Sequence, residues 1–331
     1  MRVSIAMATF NGAKYLQDQL DSFLSQTLRP DELIVCDDCS NDNTIEILEK
    51  FKKTVPFDVI VLKNESTLGV SRNFEKAILF CSGDIIFISD QDDVWNVEKI
   101  NSIVNYFHGD NELQIVINDA LIVDEYLIPG EASVLQQTYR LTGSTNEFIH
   151  GCCTAFRKTF RDFCFPLPRV GEVVPGFDGW LHTVGVYLGV RVVVPISFQY
   201  YRRHQSNVSN SNSYDAKKLN LKDWIAYSFG KFSVFLADNS THYSFLDNSR
   251  LDLILLKKRI GDQSLNLKNI IKDKYLKKLC ILENNVNFRI KMAKMPRIKR
   301  FYFAAKFYFC GGYENFSGVK SFLIDVLKLK H

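Results

Sequence analysis

A short apolar run that ends in three carboxylates constrains the fold of this chain more than any other stretch. Residues 85–88 (Ile-Ile-Phe-Ile) follow Gly83 and lead directly into Ser89-Asp90-Gln91-Asp92-Asp93. A continuous apolar run of this length predicts a strand that is buried on both faces. Ligands of open α/β sheets bind beyond the carboxyl ends of such strands. The aspartates are therefore expected either at the rim of a binding site or in a solvated acidic turn.

The spacing of these carboxylates favours a bound cation. Asp90, Asp92 and Asp93 are like charges within four residues, and each raises the pKa of its neighbours unless a cation neutralises them. Mg²⁺ and Mn²⁺ take carboxylate oxygens as ligands and keep coordination positions for phosphates. We therefore expect Mg²⁺ or Mn²⁺ as the cofactor.

Strands and amphipathic helices alternate through the first part of the chain, which predicts a parallel, doubly wound sheet. A second acidic pair, Asp37 and Asp38, follows the second predicted strand, and Thr9 ends the first. The predicted strands are 3–9, 32–36, 57–62, 85–89, 114–119, 150–156 and 190–194. The predicted helices are 15–26, 45–51, 72–79, 97–107 and 176–187.

Composition places the chain among ordinary globular proteins. It has 331 residues, of which 46% are hydrophobic and 24% are charged. Its eight cysteines are scattered, and the one C-x-x-C spacing, Cys36 to Cys39, lacks the second pair that a zinc site needs. Free thiols in a reducing compartment are the simpler interpretation. The sequence begins without a long apolar leader and contains no apolar run long enough to span a membrane, so a cytoplasmic location is expected.

The net charge of +4 conceals an uneven distribution. Residues 1–214 carry 18 basic and 27 acidic residues, whereas residues 215–331 carry 23 and 10. A basic C-terminal region in which lysines alternate with aromatic residues has three interpretations. It could lie on an anionic membrane surface, bind nucleic acid, or form a helical subdomain or homodimer face with solvated lysines. No nucleic-acid-binding motif is recognised, and the interleaved aromatic residues favour the membrane.

Three motifs at predicted strand ends resemble those of the family 2 glycosyltransferases. They are Ala-Thr-Phe-Asn-Gly at 8–12, Val-Cys-Asp-Asp-Cys-Ser-Asn-Asp at 35–42 and Ser-Asp-Gln-Asp-Asp-Val-Trp at 89–95. The resemblance implies a GT-A (Rossmann-like) fold, with a mostly parallel sheet and helices on both faces. It places the nucleotide-sugar-binding and catalytic domain at 1–212 and leaves a basic helical C-terminal region at 213–331. The implied activity is inverting transfer of a sugar from a nucleotide donor.

Later stretches resemble the rhamnosyltransferase-like branch of that family. Residues 177–181 (Phe-Asp-Gly-Trp-Leu) stand where an HDWWL-type segment is usual, and residues 200–208 stand where a YRxHxxNV-type segment is usual. The chain departs from the first pattern at Phe177 and Gly179. This resemblance implies L-rhamnose from dTDP-L-rhamnose as the transferred sugar, with UDP-hexoses and UDP-N-acetylhexosamines as alternatives.

The resemblance also implies roles for the residues that bind the donor. Asp38 and Thr9 would contact the base, Asp90 the ribose or a metal-bound water, and Asp92 the metal. An arginine at a helix start, such as Arg72, opposes the helix dipole unless an anion binds there, so Arg72 is a candidate for the diphosphate or base. A turn residue or a surface arginine is the alternative at each position.

Asp178 is the candidate catalytic base. Inversion needs one base on the face opposite the leaving group, to take the acceptor hydroxyl proton. A carboxylate also stabilises the oxocarbenium-like transition state. The family places its base at this position, while the alternative role is a helix N-cap.

His204 is a candidate metal ligand, and Arg203 a candidate contact for the diphosphate. Which of Arg202 and Arg203 points inward depends on strand register, because neighbouring residues face opposite sides. The expected acceptor is a polyprenyl-diphosphate-linked saccharide of a bacterial surface polysaccharide, such as O-antigen or capsule, at the inner face of the cell membrane. A sugar-1-phosphate nucleotidyltransferase is disfavoured because no glycine-rich basic loop follows the first strand. A catalytically silent nucleotide-sugar-binding scaffold would lack the base or the acidic pair, and both are present.

Overall fold

The structure, a computed structural model, divides into two compact units, Met1–Lys218 and Leu219–His331. It describes residues 1–142, 145, 148–168, 176–207, 239–262, 269–313, 316 and 319–327. The domain boundary predicted at 212/213 lies outside these residues, as does most of the polar Ser/Asn run that suggested it.

Four parallel strands form the first half of a nine-stranded sheet in the N-terminal unit. They are β1 (Val3–Thr9), β2 (Glu32–Asp37), β3 (Asp58–Lys63) and β4 (Ile85–Ser89), in the spatial order β3-β2-β1-β4. Every residue of β4 is buried, as the apolar run predicts. Because the strands are parallel, β1, β2 and β4 present their carboxyl ends at the same edge of the sheet.

The second half of the sheet mixes directions. It contains β5 (Val94–Trp95), β6 (Ile115–Val123), β7 (Pro129–Ser133), β8 (Thr154–Arg157) and β9 (Arg191–Arg202). The order continues β8-β6-β9-β5, and β7 pairs with β6. Strand β8 is antiparallel to both β4 and β6, whereas β6 and β9 are parallel. The predicted α/β fold is therefore confirmed, and the sheet, predicted to be mostly parallel, contains antiparallel strands in its second half that the alternating pattern did not reveal.

Helices cover the sheet. One apolar cluster joins Val3, Ile5 and Met7 of β1 to residues of α1, α2 and α4, so these helices share a face. Helix α3 contacts β1 and β2 outside that cluster. The helices of this unit are α1 (Leu16–Leu24), α2 (Thr44–Lys52), α3 (Val70–Phe80), α4 (Lys99–Gly109), α5 (Val134–Thr142), α6 (Lys158–Cys164) and α7 (Phe177–Leu188).

Three of the predicted strands differ from the observed strands by more than one residue at an end. The strand predicted at 114–119 continues as β6 to Val123. The strand predicted at 150–156 begins only at Thr154, because Gly151–Cys153 forms a 3-10 turn. The strand predicted at 190–194 continues as β9 to Arg202, with a shifted register against β6 near Asp119. The extension matters because it carries Gln199, Tyr201 and Arg202 to the edge where the acidic residues lie.

The C-terminal unit is helical in its described part. Its helices are α8 (Asn239–Asp262), α9 (Asn269–Ala293), α10 (Arg297–Phe309) and α11 (Val319–Leu327). A buried ion pair joins Arg289 of α9 to Asp325 of α11, with Nε–Oδ2 2.7 Å and Nη2–Oδ1 2.9 Å, and the Tyr313 hydroxyl donates to the same carboxylate. Across the described ranges, none of the helices combines the length and the apolar character needed to cross a membrane.

Candidate active site

A cavity of about 830 Å³ opens at the carboxyl ends of β1, β2 and β4. Five of the predicted site residues line it: Thr9, Asp38, Asp90, Asp92 and Asp178. Three of their four segments lie at the carboxyl ends of the parallel strands β1, β2 and β4, and Asp178 comes from helix α7. The other three predicted residues, Arg72, Arg203 and His204, are not among the described residues that line this cavity.

At one end of the cavity, Asp38 holds the loop before α3. Its carboxylate accepts hydrogen bonds from the amides of Leu68 (2.7 Å) and Gly69 (2.9 Å) and from the Asn64 side chain (2.8 Å). Gly69 has a φ of 79°, in the left-handed region that favours glycine. These bonds fix the Asp38 carboxylate beside the cavity before any ligand binds.

Thr9 and Asp37 form the neighbouring part of this end. The Thr9 hydroxyl donates to Asp37 Oδ2 at 2.8 Å. Asp37 also accepts from the Ser40 amide (2.9 Å) and the Ser40 hydroxyl (2.6 Å). The protein itself thus supplies the partners of Asp37, and Asp38 is the member of the pair that lines the cavity.

The acidic loop, residues 90–93, contributes Asp90, Gln91 and Asp92 to the cavity lining. Burial, and next the charge of Asp92, raise the pKa of Asp90 above its ordinary value, and the charge of Asp178 adds to the effect. Asp93 is fully buried and accepts from the Gln199 side chain (3.0 Å) and the Arg202 amide (3.1 Å). Asp93 thus connects the loop to β9, while Asp90 and Asp92 face the cavity.

The carboxylate chemistry fits a hard divalent cation at Asp90 and Asp92. Ligand atoms of Asp90, Asp93 and Cys152 also lie within 4.8 Å of one another. However, a thiol suits soft metals, and both Asp93 oxygens already accept protein hydrogen bonds. Asp90 and Asp92, which line the cavity, are therefore the better oxygen donors for Mg²⁺ or Mn²⁺.

His204 forms a hydrogen bond with Asp92 of the acidic loop. Its Nε2 lies 2.8 Å from Asp92 Oδ2, and the Asn207 side chain donates to the same oxygen at 3.2 Å. His204 could ligate a cation together with Asp92 only if this hydrogen bond opened. In the structure it orients the Asp92 carboxylate.

Asp178 lies in the first turn of α7 and lines the cavity. Its Oδ1 accepts from the Gly179 amide at 2.8 Å, and burial raises its pKa above the ordinary value. The 3-10 turn packs directly against it. A Cβ added to Gly151 would lie 2.8 Å from the Phe177 ring and 3.6 Å from the Asp178 Cβ. Glycine at 151 therefore permits this close approach.

The arginines occupy different positions from one another. The buried Arg202 guanidinium donates to the carbonyls of Asp92 (2.8 Å) and Glu125 (2.8 Å) and pairs with Asp18 (2.7 Å), so it fixes the acidic loop. The Arg203 guanidinium lies 5.8 Å from the centre of the Tyr201 ring, which lines the cavity. Arg72 is exposed in the first turn of α3.

Among the cavity residues that were not predicted as site residues, His150 and Asn207 carry polar side chains. His150 lines the cavity, and burial, with the nearby charge of Arg203, lowers its pKa to about 4, so it is neutral at pH 7. Asn207 lines it as well and contacts Asp92. The segment at 200–208 contains Asn207, and the resemblance to the YRxHxxNV pattern was the signal that could have identified it. Nothing comparable marks His150.

Comparison with known proteins gives a consistent result. The profile of Glycosyl transferase family 2 matches residues 4–163. The dTDP-rhamnosyl transferase RfbG of Shigella flexneri is 33% identical over 255 residues, which cover 71% of this chain and 86% of RfbG. The Escherichia coli protein WfaP, named a UDP-Glc:alpha-D-GlcNAc-diphosphoundecaprenol beta-1,3-glucosyltransferase, is 33% identical over 104 residues, which cover 31% of this chain and 40% of WfaP. Several other curated relatives are matched over 38–66% of their own length.

Among solved structures, residues 1–349 of Staphylococcus aureus TarS in complex with UDP-GlcNAc match 98% of this chain and 90% of that one. The TM-score is 0.55 and the sequence identity is 14%. At this identity the likeness concerns the fold, and it spans nearly the whole chain.

Proposed function

The chain belongs to glycosyltransferase family 2, and we propose that it is an inverting transferase that moves a sugar from a nucleoside diphosphate to a saccharide hydroxyl. One observation carries the proposal. Asp178, a half-buried carboxylate with a raised pKa, shares a single cavity with Asp38 and with the acidic pair Asp90 and Asp92. Inverting transfer needs a base, a nucleotide anchor and a place for the diphosphate charge within one site.

The nucleotide would bind at the Asp38 end. The Asp38 carboxylate would accept a base N–H, with Thr9 beside it. Asp90 would accept from a ribose hydroxyl or from a water. Arg72 and Arg203 would approach the diphosphate by side-chain movement, because both lie outside the cavity lining in the structure.

Asp92, with Asp90 next to it, would hold Mg²⁺ or Mn²⁺, and His204 is the further candidate ligand. When bound there, the cation would supply positive charge to offset that of the diphosphate. His204 and Asn207 would orient the Asp92 carboxylate for the cation. Gln199 keeps the Asp93 carboxylate hydrogen-bonded to β9.

Asp178 would act as the general base. It takes the proton of the acceptor hydroxyl as that oxygen bonds to the anomeric carbon, and the bond from that carbon to the diphosphate oxygen breaks. The nucleoside diphosphate leaves from the opposite face, which inverts the anomeric configuration. A raised pKa makes the Asp178 carboxylate a stronger base than an exposed aspartate.

For the sugar we propose L-rhamnose from dTDP-L-rhamnose. The support is the 33% identity to RfbG, which is named a dTDP-rhamnosyl transferase, and the rhamnosyltransferase-like segments at 177–181 and 200–208. A UDP-hexose or UDP-N-acetylhexosamine is the alternative, supported by the likeness to WfaP.

For the acceptor we propose a polyprenyl-diphosphate-linked saccharide of a bacterial surface polysaccharide, met at the inner face of the membrane. The described part of α10 supports membrane contact. Ile298, Tyr302 and Phe309 are 87%, 62% and 86% exposed and recur at helical spacing, while Ala304 on the other side is fully buried. Lys299 and Lys306 are exposed on the same helix. Aromatic and basic residues on one helix suit an anionic lipid surface.

The test is a donor panel assayed by release of nucleoside diphosphate, with and without a polyprenyl-diphosphate-linked saccharide. dTDP-L-rhamnose, UDP-glucose, UDP-galactose, UDP-N-acetylglucosamine and GDP-mannose form the panel. One donor should be consumed in an acceptor-dependent way, and NMR of the product should show inverted anomeric configuration. Retention of configuration, or no consumption of any donor, would contradict the proposal.

A further inference from the structure

A buried lysine is linked to the acidic loop through Gln199 and has no role in the proposed reaction. Lys99, the first residue of α4, is 1% exposed. Its ammonium group lies 3.9 Å from the centre of the Trp95 ring and donates to the carbonyl oxygen of Cys152 at 3.1 Å. It also donates to the side-chain oxygen of Gln199.

These bonds connect two walls of the cavity. On one side, Gln199 accepts from Lys99 and donates through Nε2 to Asp93 of the acidic loop at 3.0 Å. On the other side, Cys152 belongs to the 3-10 turn whose Gly151 packs against Phe177 and Asp178. Lys99 is thus hydrogen-bonded to both the support of the acidic loop and the turn next to the candidate base.

The negative charges of the acidic loop also act on Lys99. Burial of an ammonium ion is costly unless opposite charge lies nearby, and burial lowers the pKa of Lys99 to about 8, while the charges of Asp93 and Asp90 oppose that shift. In turn, the charge of Lys99 favours the ionised form of Asp90. The nearby Arg202 guanidinium is already engaged with Asp18 and with two backbone carbonyls.

We propose that Lys99 is a positioning residue of the donor site, whose ammonium ion holds the acidic loop and the Gly151–Cys153 turn in the arrangement that binds a metal–nucleotide complex. The inference rests on the proposed function. Lys99 itself lines no part of the cavity within the described residues, so it acts through Gln199 and the Cys152 carbonyl. Residues that support metal ligands in this way typically contribute about 10- to 100-fold to metal affinity or activity.

The test measures binding of UDP and of dTDP to the full chain by calorimetry, with and without MnCl₂. Lys99→Met removes the charged group and keeps the side chain out to the position of Cε, whereas Lys99→Arg keeps the charge. Lys158→Met is the matched control, because Lys158 is also the first residue of a helix and donates to a backbone carbonyl, that of Ser82, away from the cavity.

We expect Lys99→Met to lose most of the Mn²⁺-dependent gain in nucleotide affinity, roughly tenfold or more. Metal-free nucleotide affinity, which is proposed to depend on Asp38, should change by less than about twofold in this variant. Lys99→Arg should recover part of the loss, and Lys158→Met should behave as wild type. Gln199→Leu, which leaves Lys99 in place but cuts its link to Asp93, should show the same selective loss.

A Lys99→Met chain that keeps the full Mn²⁺-dependent gain and differs only in melting temperature would overturn the inference. If that chain fails to bind nucleotide even without metal, Gln199→Leu decides, and its unchanged Mn²⁺ dependence would likewise overturn it. Failure of the wild-type chain to bind either nucleotide with Mn²⁺ would contradict the proposed function itself, and the inference with it.

Discussion

The carboxylates in and beside the cavity have two different environments, one at Asp37 and Asp38 and the other at Asp90 and Asp178. At the Asp38 end, Asp37 and Asp38 accept hydrogen bonds from backbone amides, hydroxyls and the Asn64 side chain. At the other end, burial raises the pKa of both Asp90 and Asp178, and charged neighbours raise that of Asp90 further. The carboxylates of the first end are therefore stabilised by hydrogen bonds within the fold. At the second end, the ionised forms of Asp90 and Asp178 are disfavoured.

This difference suggests that the hydrogen-bonded carboxylates bind the nucleotide and that the carboxylates with raised pKa values take part in the reaction. A carboxylate fixed by several donors is a rigid anchor for a base or a ribose and should change little during a reaction. A carboxylate whose charged form is disfavoured by burial can accept a proton or a cation with a gain in free energy. Substitutions at the two ends should thus have separable effects, on nucleotide affinity at one and on turnover or metal dependence at the other.

The largest effect is expected at Asp178. Asp178→Asn keeps the size of the side chain but cannot accept the acceptor proton, so turnover should fall by about 10²- to 10⁴-fold. Nucleotide affinity should remain nearly intact, because Asp38, and not Asp178, is the proposed contact of the nucleotide base. Glu46→Gln, an exposed acidic residue in the first turn of α2, is the control. Normal turnover by Asp178→Asn would remove the assignment of the base.

The reverse pattern is expected at Asp38. Asp38→Ala removes three accepted hydrogen bonds, so the free energy of unfolding should fall by about 1–3 kcal/mol, and metal-free nucleotide affinity should weaken as well. Chemical denaturation and calorimetry would measure the two effects. Asp58→Ala, at the start of β3 where the side chain is 76% exposed, should change neither. A variant that loses turnover but keeps nucleotide affinity would show that the two ends are not separable.

A smaller effect on chemistry alone is expected at Gly151. The added methyl group of Gly151→Ala would lie 2.8 Å from the Phe177 ring and must displace it together with the neighbouring Asp178. Turnover should fall roughly tenfold, because a misplaced base loses its alignment, while nucleotide affinity should be retained. Gly109→Ala, where an added Cβ meets no atom within 4 Å, is the matched control. Equal turnover in both variants would mean that the turn does not position the base.

The smallest effect is a change in how stability depends on pH. Because the pKa of Asp178 is raised in the folded chain, the folded state binds its proton more tightly than the unfolded state does. The free energy of unfolding therefore falls as pH rises from the ordinary carboxyl pKa through the raised one. Asp178→Asn should be more stable than wild type at neutral pH, with a gap that closes below about pH 4, near the unperturbed value. Denaturation at several pH values tests this, and a gap independent of pH would contradict it.

Much of the architecture could be predicted from local patterns. The strand ends at Thr9, Asp37 and Ser89 follow from apolar runs that stop at polar residues, and parallel pairing then requires that they meet at one edge. Asp178 could be named only through family resemblance, because an aspartate in the first turn of a helix is also an ordinary cap.

What sequence patterns could not predict depends on contacts between distant residues. The bonds of Lys99 to Gln199 and of Gln199 to Asp93 join residues about 100 positions apart, and no local periodicity encodes them. Which of Arg202 and Arg203 points toward the acidic loop depends on which face of the strand each residue occupies. The structure buries Arg202 against the acidic loop and leaves Arg203 beside Tyr201. The extension of β9 to Arg202, which sets those faces, was also not predicted.

The most direct test of the central claim is a thermal-shift comparison of wild type and Asp92→Asn with the same donor panel, with and without Mn²⁺. A ligand that binds only the folded state raises the melting temperature by mass action. We predict that one donor raises the melting temperature of wild type further when Mn²⁺ is present. In Asp92→Asn the same donor should give only the metal-free shift, since the Asp38 end is intact. A shift that is equal with and without Mn²⁺, or that survives unchanged in Asp92→Asn, would contradict a metal-assisted sugar-transfer site at the acidic loop.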